Sequence, residues 1–84
     1  MVKLVYFAWV RERIGKSEEE IVLPEGVMTV GDLLGHLKER GEEYGWALEH
    51  PDVIRVAIDR RHSQHDAPIG GANEIALFPP MTGG

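Results

Sequence analysis

The sequence predicts an α+β fold in which a mixed β-sheet packs on one main helix. Three observations lead to this prediction. Residues 2–10 form an apolar run rich in β-branched and aromatic side chains, and Glu74–Phe78 has a second strand pattern. Between them, an amphipathic helix pattern begins near Thr29. No internal repeat is visible, so the 84 residues are expected to form one compact unit.

The N-terminal segment is predicted to be a central strand followed by a hairpin. Both faces of an extended chain over residues 2–10 would be apolar, with Leu4 on one side and Val5 on the other. The polar stretch around Gly15 predicts a turn, and residues 18–23 predict the returning strand.

The main helix has clear start and stop signals. Thr29 suits an N-cap, Asp32 lies three residues later as its capping-box partner, and Gly41 suits the C-cap. The apolar side chains between them recur at helical spacing and predict one buried face, formed by Val30, Leu33, Leu34 and Leu37.

The second half of the chain predicts two further strands. Residues 42–50 suggest a short helical turn or packed loop, and residues 53–59 alternate as a strand. Residues 60–71 are polar and rich in turn formers, which predicts an irregular connection. The last strand, Glu74–Phe78, is stopped by two prolines that lack backbone donors.

Composition excludes several classes of function. A hydrophobic content of 43% with 27% charged residues predicts a folded chain. The net charge of −5 argues against a nucleic-acid partner. With no cysteine there is no disulfide, thiolate metal site or cysteine nucleophile. The apolar N-terminal run is too short to cross a membrane, so no membrane association and a cytoplasmic location are expected.

Three polar motifs are better explained without special chemistry. Residues 15–17 resemble the end of a phosphate-binding loop but lack its first glycine, and a turn is favoured. The glutamates at 18–20 alternate between strand faces and are read as a solvated strand edge. His62, His65 and Asp66 lack the spacing of a metal site, so no metal is predicted.

The C-terminal sequence FPPMTGG remains as a candidate site. Two prolines stiffen the exit from the last strand, and Gly83 and Gly84 present the terminal carboxylate without side chains beside it. Such a tail suits insertion into a narrow pocket, although a simple frayed end has the same composition. Composition alone favours the frayed end, after a folded domain expected at 1–78.

Four segments resemble the small, sulfur-carrying subunit of molybdopterin synthase, a ubiquitin-like family with the β-grasp fold. These are FAWVRERIG at 7–15, TVGDLL at 29–34, VAID at 56–59 and NEIALFPPMTGG at 73–84. The resemblance covers essentially the whole chain, including the terminal position of the two glycines.

The resemblance implies a functional tail at 79–84 with a chemistry centred on Gly84. An ATP-dependent activating enzyme of the ubiquitin-activating type would adenylate its carboxylate, and a sulfur donor, a sulfurtransferase, would convert the adenylate to a thiocarboxylate. The tail would then enter the synthase large subunit and donate sulfur to a cyclic pyranopterin precursor. The chain would bind no cofactor and would not be an enzyme on its own.

The resemblance also implies which residues meet partners. Gly83 and Gly84 would carry the chemistry, and the partner-binding tail would comprise Phe78, Pro79, Pro80, Met81 and Thr82. Phe7 and His62 would belong to the partner-binding surface. Core burial is an equal alternative for Phe7 and Phe78, and His62 stands where the family often has an apolar residue.

Other functions fit the same fold. The chain is also compatible with a sulfur carrier for thiamine thiazole, tRNA thiolation or a tungsten cofactor. A protein modifier would instead form an isopeptide bond from Gly84 to a target lysine. A plain interaction module with an inert tail is the third class.

Overall fold

The computed structural model describes residues 1–80, which form a five-stranded mixed sheet with three α-helices. The elements in chain order are β1 (Val2–Tyr6), α1 (Ala8–Ile14), β2 (Glu18–Ile21), α2 (Val30–Lys38), α3 (Glu42–Ala47), β3 (Arg55–Ile58), β4 (Arg61–Ser63) and β5 (Glu74–Phe78). A single 3-10 turn, Pro51–Val53, precedes β3. None of the helices in this part of the chain has the length and apolarity of a membrane span.

The sheet order is β2-β1-β5-β3-β4, which places the last strand in the middle. β1 pairs in parallel with β5 and antiparallel with β2, while β3 lies antiparallel to both β5 and β4. β1 is therefore an inner strand, as predicted. The chain leaves the sheet from the end of its central strand.

The two faces of the sheet differ. The inner face packs against the helices and is built by buried side chains such as Leu4, Ile75 and Leu77. The open face is the opposite one. Strand alternation assigns to the open face Val5, Arg55, Ala57, His62, Ala76 and Phe78.

The predicted main helix is confirmed at its start. Asp32 donates its backbone N–H to the Thr29 hydroxyl oxygen at 3.2 Å, and the Asp32 carboxylate accepts the Thr29 N–H at 3.2 Å. The predicted apolar stripe is buried against the sheet, and each leucine contributes about 1.5–3 kcal/mol. The predicted end is wrong, because α2 stops at Lys38 and Gly41 is instead the N-cap of α3.

The first predicted strand is too long. It ends at Tyr6, and the chain turns into α1 after Phe7, whose carbonyl oxygen accepts the N–H groups of Val10 and Arg11. Val10 and Ile14 bury one face of this helix. A short apolar run is compatible with the periodicity of a strand or of a helix. Only the packing of this segment against the sheet selects the helix.

The predicted pairing of the first two strands is confirmed, but the predicted turn between them is wrong. β1 and β2 do pair antiparallel, but a helix rather than a tight turn connects them. Gly15 ends that helix with φ of 89°, in the left-handed region where glycine is favoured.

One strand within the predicted irregular connection was missed, namely β4. It forms a two-residue hairpin with β3 through Asp59 and Arg60, whose φ angles of 48° and 70° are those of a type I′ turn. The Asp59 carboxylate also accepts the backbone N–H groups of Asn73 and Glu74 at 3.0 and 2.9 Å. The polar composition of β4 gives no strand pattern in the sequence, because an edge strand needs few apolar residues.

Candidate functional site

The tail begins at the end of β5. Phe78 is the last residue of the strand, and Phe78, Pro79 and Pro80 are all half-buried. Of the predicted tail, Met81, Thr82, Gly83 and Gly84 lie outside the described residues. The structure thus defines the base from which the tail departs, at the centre of the sheet.

Phe7 lies beside this base. Its backbone N–H donates to the Leu77 carbonyl oxygen at 3.1 Å, which joins the end of β1 to the end of β5. The Phe7 side chain is 47% exposed, so the alternative of core burial does not hold for it. An exposed aromatic ring next to the tail is the type of residue found at protein interfaces.

A row of residues with two alanines at its centre crosses the open face beside Phe78. The strand register aligns Val5 with Ala76, Ala76 with Ala57 and Ala57 with His62. Two alanines at the centre of this row allow another protein surface to approach the backbone closely. Phe78 lies in the next row, opposite Arg55.

His62 lies beside Phe78, the first residue of the tail base. Its ring centroid is 6.4 Å from that of Phe78, in an edge-on arrangement with an interplanar angle of 61°. The structure therefore brings together three of the predicted site residues, Phe7, Phe78 and His62, at one end of the sheet.

His65, another polar residue considered from the sequence, has a structural role. The His65 Nε2 atom lies 2.7 Å from the Ile54 carbonyl oxygen, which ties the segment after β4 to the start of β3. Within residues 1–80, no three acidic or histidine side chains cluster closely enough to hold a metal ion.

Sequence reasoning missed a cluster around Glu19. Glu18 and Glu20 are exposed as predicted, but the Glu19 side chain is only 13% exposed. Its carboxylate accepts hydrogen bonds from the Tyr6 and Tyr44 hydroxyls at 2.7 and 2.6 Å. The reading of all three glutamates as solvated is wrong for Glu19, because strand alternation turns it towards the tyrosines.

Two cations complete the cluster. Lys16 Nζ and an Arg40 guanidinium nitrogen lie 3.5 and 3.3 Å from the Glu19 carboxylate, and both cations face the Tyr44 ring. Burial raises the pKa of Glu19, but the tyrosine hydrogen bonds and the two positive charges outweigh it, so the pKa is lowered overall. Burial and the Glu19 carboxylate raise the pKa of Tyr6.

A comparison with known families identifies the chain. The model of the ThiS family matches residues 4–84, and thus includes the C-terminal Gly83 and Gly84. The chain belongs to the ThiS family. The resemblance to a sulfur-carrier family inferred from the sequence motifs is confirmed.

Individual members and solved structures agree with ThiS membership. The molybdopterin synthase sulfur carrier subunit of Escherichia coli is 32% identical over 84 residues and is covered, like this chain, to 100%. A putative molybdopterin converting factor, subunit 1, from Pyrococcus furiosus has a TM-score of 0.73 at 30% identity, covering 95% of this chain and 97% of that one. This likeness confirms the predicted β-grasp fold.

A second structural neighbour is small archaeal modifier protein 1 of Haloferax volcanii. Its TM-score is 0.70 at 26% identity, with 95% of this chain and 97% of that chain covered. Proteins named as carriers and as modifiers therefore share the fold of this ThiS member.

Proposed function

We propose that this chain is a sulfur carrier, the small subunit of a molybdopterin synthase, with Gly84 as the group that carries sulfur. The observation on which the proposal depends is that the family match continues through Gly84. The relative from Escherichia coli that bears the name of this subunit covers the chain from end to end.

The proposed chemistry begins at the terminal carboxylate. An activating enzyme of the ubiquitin-activating type joins it to the α-phosphate of ATP, which forms an acyl adenylate and releases pyrophosphate. The outer sulfur of a persulfide on the sulfur donor then attacks the acyl carbon and displaces AMP, and a thiol cleaves the resulting acyl disulfide, which leaves a thiocarboxylate on Gly84 and a disulfide on the donor. The adenylate is needed because a carboxylate is a poor electrophile, whereas AMP is a good leaving group.

Delivery of the sulfur depends on the tail and its base. The strand end holds Phe78, Pro79 and Pro80 at the centre of the sheet, from which Met81, Thr82, Gly83 and Gly84 would extend into a pocket of the large subunit. Glycine suits a narrow pocket because it has no side chain. Phe7 and His62 would contact the receiving protein beside this point.

The catalytic residues belong to the partners in this proposal. The chain would bind no cofactor, and its only intermediates would be the covalent adenylate, acyl disulfide and thiocarboxylate. The large subunit would bind the cyclic pyranopterin precursor and take sulfur from the tail. Because adenylation consumes ATP, the carrier would act in the cytoplasm.

A protein modifier is the second candidate, and the Haloferax volcanii neighbour supports it. The same adenylate would then be attacked by a lysine amine, which gives an isopeptide bond and releases AMP. Sulfur carriage for thiamine thiazole, tRNA thiolation or a tungsten cofactor would use the same thiocarboxylate with a different acceptor.

Intact mass spectrometry tests the proposal. The full chain is incubated with ATP, an activating enzyme and a sulfur donor, and a variant lacking Gly83 and Gly84 serves as the control. We expect a mass increase equal to exchange of one oxygen for sulfur, mapped to Gly84, in the full chain alone. A lysine adduct would favour the modifier, and an unchanged mass would contradict both.

A further inference from the structure

Arg55 is an unpaired cation next to the tail base. It lies directly opposite Phe78 in the pairing of β3 with β5, on the open face of the sheet. Its side chain is exposed and makes neither an ion pair nor a side-chain hydrogen bond with any of residues 1–80. Lys3 has a carboxylate partner in Glu18, whereas the exposed Lys38 and Arg61 have none within residues 1–80, so Arg55 is distinguished by its position opposite Phe78.

The surroundings of Arg55 are polar. Arg55, His62 and Gln64 line a shallow cavity of about 230 Å³ beside Phe78. Asp52 also lines this cavity, yet forms no ion pair with Arg55. The surface around Phe78 is thus apolar on the side of Phe7 and polar on the side of Arg55, His62 and Gln64, which offer hydrogen-bond donors. This polar side is called the polar half of the tail base.

A protein that receives the tail must cover this polar half. Arg55 pairs with the residue that precedes the two prolines, so a surface that encloses the tail also removes water from the guanidinium. Such burial is costly unless an acceptor replaces the water. A carboxylate is the best replacement, because it matches the guanidinium with two parallel charge-assisted hydrogen bonds.

We propose that Arg55, with His62 beside it, is the docking point for a carboxylate-bearing segment of the protein that receives the tail. Because the net charge of the chain is −5, an acidic segment is attracted only where an exposed cation such as Arg55 faces it. The inference rests on the proposed function and names the chemistry of its partner surface.

Charge reversal is the first test. The full chain is titrated calorimetrically with the molybdopterin synthase large subunit of the same organism. Lys38→Glu is the matched control, because it changes the net charge by the same amount as Arg55→Glu. Lys38 is exposed at the end of α2, a helix that packs on the opposite side of the sheet from the open face. We expect Arg55→Glu to weaken binding at least tenfold and Lys38→Glu less than twofold. Equal effects of the two variants would overturn the inference.

Two further variants test whether the charge of Arg55 is needed and whether a carboxylate lies next to it. Arg55→Leu removes the charge but keeps an apolar stem, and it should also bind at least fivefold more weakly. Binding as tight as that of the native chain would mean that an apolar surface covers this position. Arg55→Lys retains the charge, and zero-length carbodiimide coupling should join the introduced lysine to an Asp or Glu of the large subunit. Absence of that cross-link in a bound complex would contradict the proposal.

Failure of the inference differs from failure of the proposed function. If the native chain neither binds the large subunit nor gains sulfur at Gly84, the proposed function fails. If the native chain does both and Arg55→Glu binds equally well, only the docking inference fails. Circular dichroism of each variant confirms that the sheet is intact.

Discussion

The Tyr6 hydroxyl donates a 2.7 Å hydrogen bond to the Glu19 carboxylate across the β1–β2 pair. Tyr6 is 1% exposed, and the residue after it is Phe7 at the tail base. Glu19 also accepts from Tyr44 of α3. One carboxylate therefore joins the edge strand, the inner strand and a helix.

Removal of this carboxylate should destabilise the fold. Glu19→Ala leaves the Tyr6 hydroxyl buried without its acceptor, and we expect a loss of about 2–3 kcal/mol in the free energy of unfolding. Chemical denaturation measures it, and Glu20→Ala, at an exposed neighbouring position, should change stability by about 0.5 kcal/mol or less. In the Glu19→Ala background, Tyr6→Phe should cost less than in the native chain, and additive losses would contradict the coupling.

Stability should fall in acid because of the same residue. The folded-state pKa of Glu19 is lowered, so its contribution is present above the unfolded pKa, near 4.3, and is lost as pH falls through the folded value. The unfolding free energy measured between about pH 7 and pH 2 should therefore decline below about pH 4, with a shallower decline in Glu19→Gln.

Asp32 contributes to the same acid transition. The backbone N–H groups of Met28 and Thr29 hold its pKa below the usual range, so protonation also weakens the helix cap. Glu19→Gln combined with Asp32→Asn should flatten the pH profile more than either change alone. If the free energy of unfolding of the double variant depended on pH as steeply as that of the native chain, other groups would cause the acid sensitivity.

Two glycines offer a matched pair of substitutions. Gly15 has φ of 89°, so Gly15→Ala is expected to destabilise the protein by about 1 kcal/mol. Gly35 lies in α2 with a helical backbone and no atom within 4 Å of an added Cβ, so Gly35→Ala should stabilise by about 0.5–1 kcal/mol. Thermal unfolding would give shifts of opposite sign, and shifts of the same sign would contradict this account.

Activation should depend on the terminal residue. We expect Gly84→Ala to slow adenylate-dependent pyrophosphate exchange at least tenfold, because an added Cβ widens the end of the tail and restricts its backbone. Gly70→Ala is the control, since a Cβ there meets no atom within 4 Å and lies before β5. Equal exchange rates for native chain and Gly84→Ala would show that the activating enzyme tolerates a side chain.

The sequence by itself determined the features whose signals are local. The Thr29 capping box, the buried leucine stripe of α2 and the strand Glu74–Phe78 all follow from residues close together in the chain, and all are confirmed. The C-terminal motif likewise indicated the family, because a terminal Gly-Gly after FPP is readable without a fold. The division into a domain at 1–78 and a tail at 79–84 stays a prediction.

Only the tertiary structure decided the features that depend on distant neighbours. Residues 8–14 suit a strand or a helix, and packing of Val10 and Ile14 into the core selects the helix. Glu19 looks solvated in isolation, but Tyr44 is brought to it from 25 residues away. Arg55 and Phe78 become neighbours through an antiparallel pairing that no local pattern encodes. Contacts between remote segments arise from burial of shared apolar surface, which short-range periodicity does not reveal.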